Sequence, residues 1–130
     1  MESLKINYIE PVQEEFFKGK ENLKIKYNKY LNEFSKLYPE ENIYSLQYDI
    51  TLIRDLIMYF LYQEKIKKKD KTFNLTVLSK LFKQNSHTGV KYGIDKIEGY
   101  LKNPKTLNTK HKTKIFYLFY KYNRIINGDC

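Results

Sequence analysis

The chain has 130 residues, 42% hydrophobic and 30% charged, the make-up of one folded domain with a modest core and not of a disordered chain. A net charge of +9 points to a polyanionic partner, and no run of about eighteen apolar residues offers itself as a membrane span. The start, MESLKINYIEP, has no apolar run of signal-peptide length, and the only cysteine, Cys130, cannot form an intrachain disulfide, so the cytoplasm is the expected location.

Charge is unevenly placed. Residues 1–64 hold 8 Lys and Arg against 11 Asp and Glu, a net of −3, whereas residues 65–130 hold 16 against 4, a net of +12. The second half is therefore the candidate polyanion face. Alanine is absent while Lys, Asn, Ile and Tyr abound, which matches the AT-rich coding of a low-GC bacterium or mobile element. Codon bias accounts for many lysines but not for the scarcity of acids among them.

Pro11 suits the first turn of a helix, where its missing N–H costs nothing. Phe16, Leu23, Tyr30 and Leu37 then recur every seven residues, with Tyr27 and Phe34 between them. This spacing predicts one long helix from Pro11 to about Tyr38, weakened at Gly19. Such a seam packs against other helices of the chain or, as the alternative, against a second copy as a homodimer arm. Pro39-Glu40-Glu41-Asn42 makes the break. The next helix is expected from Ser45 to Lys68, with Ile50, Ile53, Leu56, Ile57, Phe60 and Leu61 on its inner face. From Leu56 to Tyr62 it is apolar nearly all round, the mark of a buried central helix. Arg54 and Asp55, just before that stretch, are expected to face solvent or pair with a neighbour. The run Lys65 to Lys71 complements the helix macrodipole and offers Lys67, Lys68 and Lys69 as phosphate contacts.

Leu75, Leu78 and Phe82 fall on one helical face. Asn85-Ser86-His87-Thr88-Gly89 interrupts the pattern, with Ser86 and Thr88 as candidate N-caps. A second helix places Val90, Ile94, Ile97 and Leu101 inward and leaves Lys91, Tyr92, Asp95, Lys96 and Glu98 outward. Gly93 and Gly99 lie inside it, each costing roughly 1 kcal/mol relative to alanine. Lys102-Asn103-Pro104-Lys105 closes it, because proline disfavours the helical conformation of the residue before it. Leu78-Ser79-x-x-Phe82, followed by Ile94-x-x-Ile97-x-x-x-Leu101-x-x-Pro104, resembles the core of phage- and plasmid-type helix-turn-helix regulators. The resemblance spans residues 75–107 and implies that the helix over Gly89–Leu101 docks in a major groove. Lys91, Tyr92 and Lys96 would then lie nearest the base edges.

After Leu107, Asn108 or Thr109 is expected to cap a last helix whose inner face is Ile115, Leu118, Phe119, Tyr122 and Ile125. Lys110, Lys112, Lys114, Tyr117, Lys121 and Arg124 are left largely outside. A basic face interleaved with tyrosine suits nucleic acid, since lysine neutralises phosphate and the ring can stack on a base. Lys105, Lys110, Lys112 and Lys114 join Lys67, Lys68 and Lys69 as the expected backbone-holding set. The whole chain reads as a single all-α domain, a compact bundle of five or six helices. Residues 1–64 supply the long core helices and 65–130 the basic, helix-turn-helix-like half.

His87 and His111 are the only histidines, and no CxxC, HxxxH or HxH spacing exists for a metal. No glycine-rich phosphate loop is present, and Arg54 and Arg124 alone cannot supply the arginines that tyrosine strand transfer needs. A non-enzyme without metal or cofactor is expected. Two readings follow. The first is a duplex-DNA binder acting in transcription, replication or transfer, with RNA as the second nucleic acid. The alternative is a small helical interaction module, an inhibitor or a CRISPR-type small subunit of a nucleoprotein complex, laying its basic face on RNA or an acidic protein.

Overall fold

A computed structural model describes residues 15–82, 87–107 and 112–128. It places five α-helices and two short 3₁₀ turns among them, and no strand among the described residues. The helices are α1 (Glu21–Leu37), α2 (Tyr48–Lys68), α3 (Leu75–Leu81), α4 (His87–Lys102) and α5 (Lys112–Ile126). The expected all-α bundle is thus observed.

The first helix is shorter than the heptad spacing predicts. Gly19 sits at φ +76°, the Lys20 N–H donates to the Phe17 carbonyl, and α1 begins only at Glu21. A left-handed residue cannot continue a right-handed helix, so what reads as one element is interrupted: Glu15 and Phe16 are helical, residues 17–19 turn, and α1 follows. Pro11 lies outside the described residues. The seam itself is as expected: Leu23, Tyr27, Tyr30 and Phe34 are buried, together with Leu31, while Phe16 and Leu37 are half-buried. It packs on α2 and α5 within the chain.

The second helix is the centre. Its packing reaches α1, α3, α4 and α5, and Leu52, Ile53, Leu56, Ile57, Met58, Phe60 and Leu61 are all buried. Each such side chain contributes on the order of 2 kcal/mol by leaving water. It starts at Tyr48, not Ser45, because residues 38–47 form a connection pinned to its first turns. The Arg54 guanidinium donates to the carbonyls of Ile43 (2.7 Å) and Ser45 (3.0 Å), and Tyr38 donates to Asp49 (3.0 Å). Arg54 therefore does not face solvent; it is buried as the clamp of this connection.

Helix directions follow from who meets whom. At one end of the bundle the Lys26 ammonium lies 3.4 Å from the Ile125 carbonyl and 3.6 Å from the Glu64 carboxylate. At the other end the Lys114 ammonium sits 4.5 Å over the Tyr38 ring. So α1 runs antiparallel to both α2 and α5, and their middles meet in a cluster of Tyr30, Phe60, Phe119 and Tyr122 rings. The Tyr122 hydroxyl, fully buried there, donates to the Tyr30 carbonyl at 3.1 Å. Burial pushes its ionisation well above the ordinary tyrosine range.

On the other flank α3 and α4 close the bundle. The Asn74 side chain caps α3 by accepting the Val77 N–H at 2.9 Å, and α3 packs on α4. Thr88 lies inside α4, whose helix already includes His87, so it is not the N-cap; Ser86 falls outside the described residues. Val90, Ile94 and Ile97 are buried and Leu101 half-buried, as the spacing predicts. Pro104 opens a 3₁₀ turn directly after the helix.

Candidate nucleic-acid interface

The side chains expected to meet nucleic acid do not form one surface. On α2, Asp55 faces α4 and Phe60 faces α5. Five residues at about 100° each set those two positions roughly 140° apart around the helix. The outward faces of α4 and α5 therefore point apart.

On α4 the expected base-reading trio is divided. Tyr92 is 69% exposed. Lys91 is exposed too, but its ammonium is held by Asp95 at 2.7 and 2.9 Å from the two carboxylate oxygens, which raises its affinity for the proton. Lys96 is a correction. Its ammonium lies 2.8 Å from Asp55, a carboxylate almost wholly shielded from solvent, and its charge is consumed in that pairing. Burial pushes the Asp55 carboxyl above its ordinary value, and the Lys96 and Arg54 cations oppose that rise. Gly93 makes the pair possible: a Cβ there would stand 2.5 Å from one Asp55 oxygen and 2.9 Å from its Cγ. The helix can approach α2 this closely only without that side chain. Glu98 is exposed on the same helix, so the face left outward carries both signs of charge.

On α5 the balance is different. The helix holds Lys112, Lys114, Lys121 and Arg124 and no acidic residue. Lys112 and Lys114 are exposed; Lys121 and Arg124 are half-buried. Among the described residues none of the four pairs with a carboxylate. Instead Lys121 lies over the Tyr117 ring at 5.7 Å, Arg124 over Tyr120 at 5.9 Å, and Lys114 over Tyr38. A ring quadrupole steers a cation without cancelling its charge. Tyr117 is 43% and Tyr120 is 56% exposed, so both rings keep an open side. Tyr120, which the spacing does not single out, belongs to this face, and so does Arg124, expected outside but not among the expected binding residues Lys112, Lys114, Tyr117 and Lys121.

Lys67, Lys68 and Lys69 stand exposed at the end of α2, as expected of a helix C-terminus. Lys68 approaches the buried Glu64 at 3.5 Å, opposite Lys26. Since α2 and α5 are parallel, this run sits at the same end of the bundle as Lys121 and Arg124. Lys105, exposed in the 3₁₀ turn after α4, belongs to the other end, about 30 Å away along α2. Lys110 lies outside the described residues.

One further feature is not legible in the spacing. Two open cavities, of about 510 and 430 Å³, adjoin at Leu75 between the ends of α2, α3 and α4. Tyr92 and Lys91 line the first, Tyr62 and Lys65 the second, and Lys65 lies 5.5 Å from the centre of the Tyr62 ring. These residues are brought together only when α3 folds back across α2, so no local pattern announces them.

Among the described residues no group of three or more His, Cys, Asp or Glu side chains could hold a metal ion, and no helix is long and apolar enough to cross a membrane. Comparison with known proteins finds no family model, no curated protein and no solved structure that matches this chain.

Proposed function

We propose that this chain is a non-enzymatic nucleic-acid-binding protein that grips the phosphate backbone through α5 and the lysine run at the end of α2. The observation that carries this reading is the α5 face: four cations, two open tyrosine rings and no carboxylate on the helix. Lysine ammonium groups are point charges without the planar fork that recognises guanine, so such a face holds backbone and reads little sequence.

The helix-turn-helix reader of duplex DNA is a second form of the same proposal. It is favoured by the packing of α3 on α4 and by the exposure of Lys91 and Tyr92 in the N-terminal half of α4. In this form Lys96 contributes to the helix's seating and not to base contacts, which leaves Lys91 and Tyr92 as the base-reading pair.

The test is a titration of labelled DNA and RNA oligonucleotides at 50 and 200 mM salt. Four phosphate contacts predict binding at the lower concentration that weakens roughly fifty- to 150-fold at the higher. No binding to any nucleic acid at 50 mM salt would sink the proposal and turn attention to an acidic protein partner.

A further inference from the structure

We infer that the preferred ligand is a single strand, led from α5 round the end of the bundle to the Leu75 cavities, where an unpaired base stacks on Tyr92. This rests on the nucleic-acid reading proposed above and names the form of nucleic acid it requires.

Geometry comes first. The basic-aromatic face of α5 and the Tyr92 face of α4 lie on opposite flanks of α2, so a ligand touching both must turn sharply within one small domain. Duplex DNA is stiff over about 150 base pairs and resists such a turn, whereas an unpaired strand rotates about every backbone bond. The route between the flanks carries positive charge. The ends of α2 and α5 converge where Lys26 reaches both Glu64 and the Ile125 carbonyl, and Lys68 stands there beside the same carboxylate. Beyond it Lys65 borders the smaller cavity, while Lys91, at the larger, is already paired with Asp95.

The cavities themselves suit a base. Their volumes, about 430 and 510 Å³, fall in the range of ligand pockets, and Leu75 and Val77 give an apolar floor. Tyr92, 69% exposed, presents a ring at the rim with the Lys96 ammonium 5.7 Å from its centre. An open tyrosine ring gives a base a π-face to stack on, and Lys65 at the adjoining cavity, which meets no carboxylate among the described residues, gives the attached phosphate a counter-charge. Asp95 also lines the larger cavity, but its carboxylate is occupied by Lys91 and so adds little repulsion toward phosphate.

The experiment compares three fluorescent ligands of about twenty nucleotides and matched sequence: single-stranded DNA, single-stranded RNA and the DNA duplex. The full chain and its Tyr92→Ala and Tyr92→Phe variants are titrated at low salt. Tyr92 is exposed, so neither change should disturb folding, and circular dichroism checks this. At least one single strand should bind on the order of tenfold more tightly than the duplex. Tyr92→Ala should weaken that strand about fivefold or more and so remove its advantage over the duplex, while Tyr92→Phe, which keeps the ring, should restore binding. A preference between DNA and RNA supports the inference in either direction and assigns the sugar. A duplex bound as tightly as either strand, or a Tyr92→Ala variant that keeps the single-strand advantage, overturns it while the nucleic-acid reading stands. Failure to bind all three ligands overturns both.

Discussion

Helices α4 and α5 are close in length and composition: each is amphipathic, carries lysines and tyrosines, and buries an aliphatic stripe against α2. They differ in where their charge goes. On α4, Lys91 is matched by Asp95 and Lys96 by the buried Asp55, which leaves only Lys102, in the last turn, exposed and without a carboxylate among the described residues. On α5 three of the four cations lie over tyrosine rings and none meets a carboxylate among the described residues, so their charge stays available. Two helices with the same outline can therefore have different jobs, and partner geometry separates them where composition does not.

The largest expected effects break this comparison from the α4 side. Lys96→Ala leaves Asp55 buried without its nearest counter-charge and should destabilise the fold by about 3 kcal/mol, seen as a fall in Tm. Gly93→Ala should cost about 2 kcal/mol despite the better helix propensity of alanine, because the new Cβ collides with the same carboxylate. If either variant melts like the parent, the Asp55 pairing is not holding α4 to α2. The matching change on α5, Lys112→Ala with Lys121→Ala, should leave stability within about 0.5 kcal/mol, as surface substitutions do.

The Asp55–Lys96 pair also makes a pH prediction. Burial raises the carboxyl of Asp55 in the folded state above its ordinary value of 3.8, so its protonated form is the one the fold favours. Its contribution is fully present below that value and is lost as pH rises through the higher folded pKa. Chemical denaturation of the parent and of Asp55→Asn should therefore show the parent losing ground to the variant as pH rises above 3.8. A difference that is flat, or that moves the opposite way, would mean that Lys96 outweighs burial.

The smallest effect sharpens the contrast within α4 itself. Gly99 faces open space, and Gly99→Ala should stabilise by up to about 1 kcal/mol, the gain in helix propensity alone. Opposite signs at Gly93 and Gly99 would show that one glycine is there for a close approach and the other is not.

Much of this fold can be read from spacing. The heptad seam of α1, the all-round apolar stretch of α2 and the inner faces of α4 and α5 are local periodicities, and burial follows them. What escapes is what depends on distant partners. Gly19 can be seen as a weak point, but nothing local says that it turns left-handed and ends the helix. Arg54 stands in a helix before an apolar run, and its acceptors are carbonyls of a connection about ten residues back that carries no recognisable signature. Lys96 is one residue from Ile97 at the edge of the inner face, and only the position of Asp55 decides whether it turns in or out. The Leu75 cavities require three elements at once. The electrostatic asymmetry of the two halves is plain in the sequence, whereas its concentration on α5 emerges only once the ion pairs of α4 are seen.

The central claim is that α5 supplies unneutralised charge to phosphate while Lys91 and Lys96 on α4 do not. The salt dependence of binding tests it most directly, measured for the parent, for Lys112→Ala/Lys114→Ala/Lys121→Ala on α5, and for Lys91→Ala on α4. The log–log slope against salt should fall by about 2 in the α5 variant, near 0.7 for each single-strand phosphate that no longer meets a lysine, and stay close to the parent value in the α4 variant. An unchanged slope in the α5 variant, or an equal drop per lysine in both, would contradict the account.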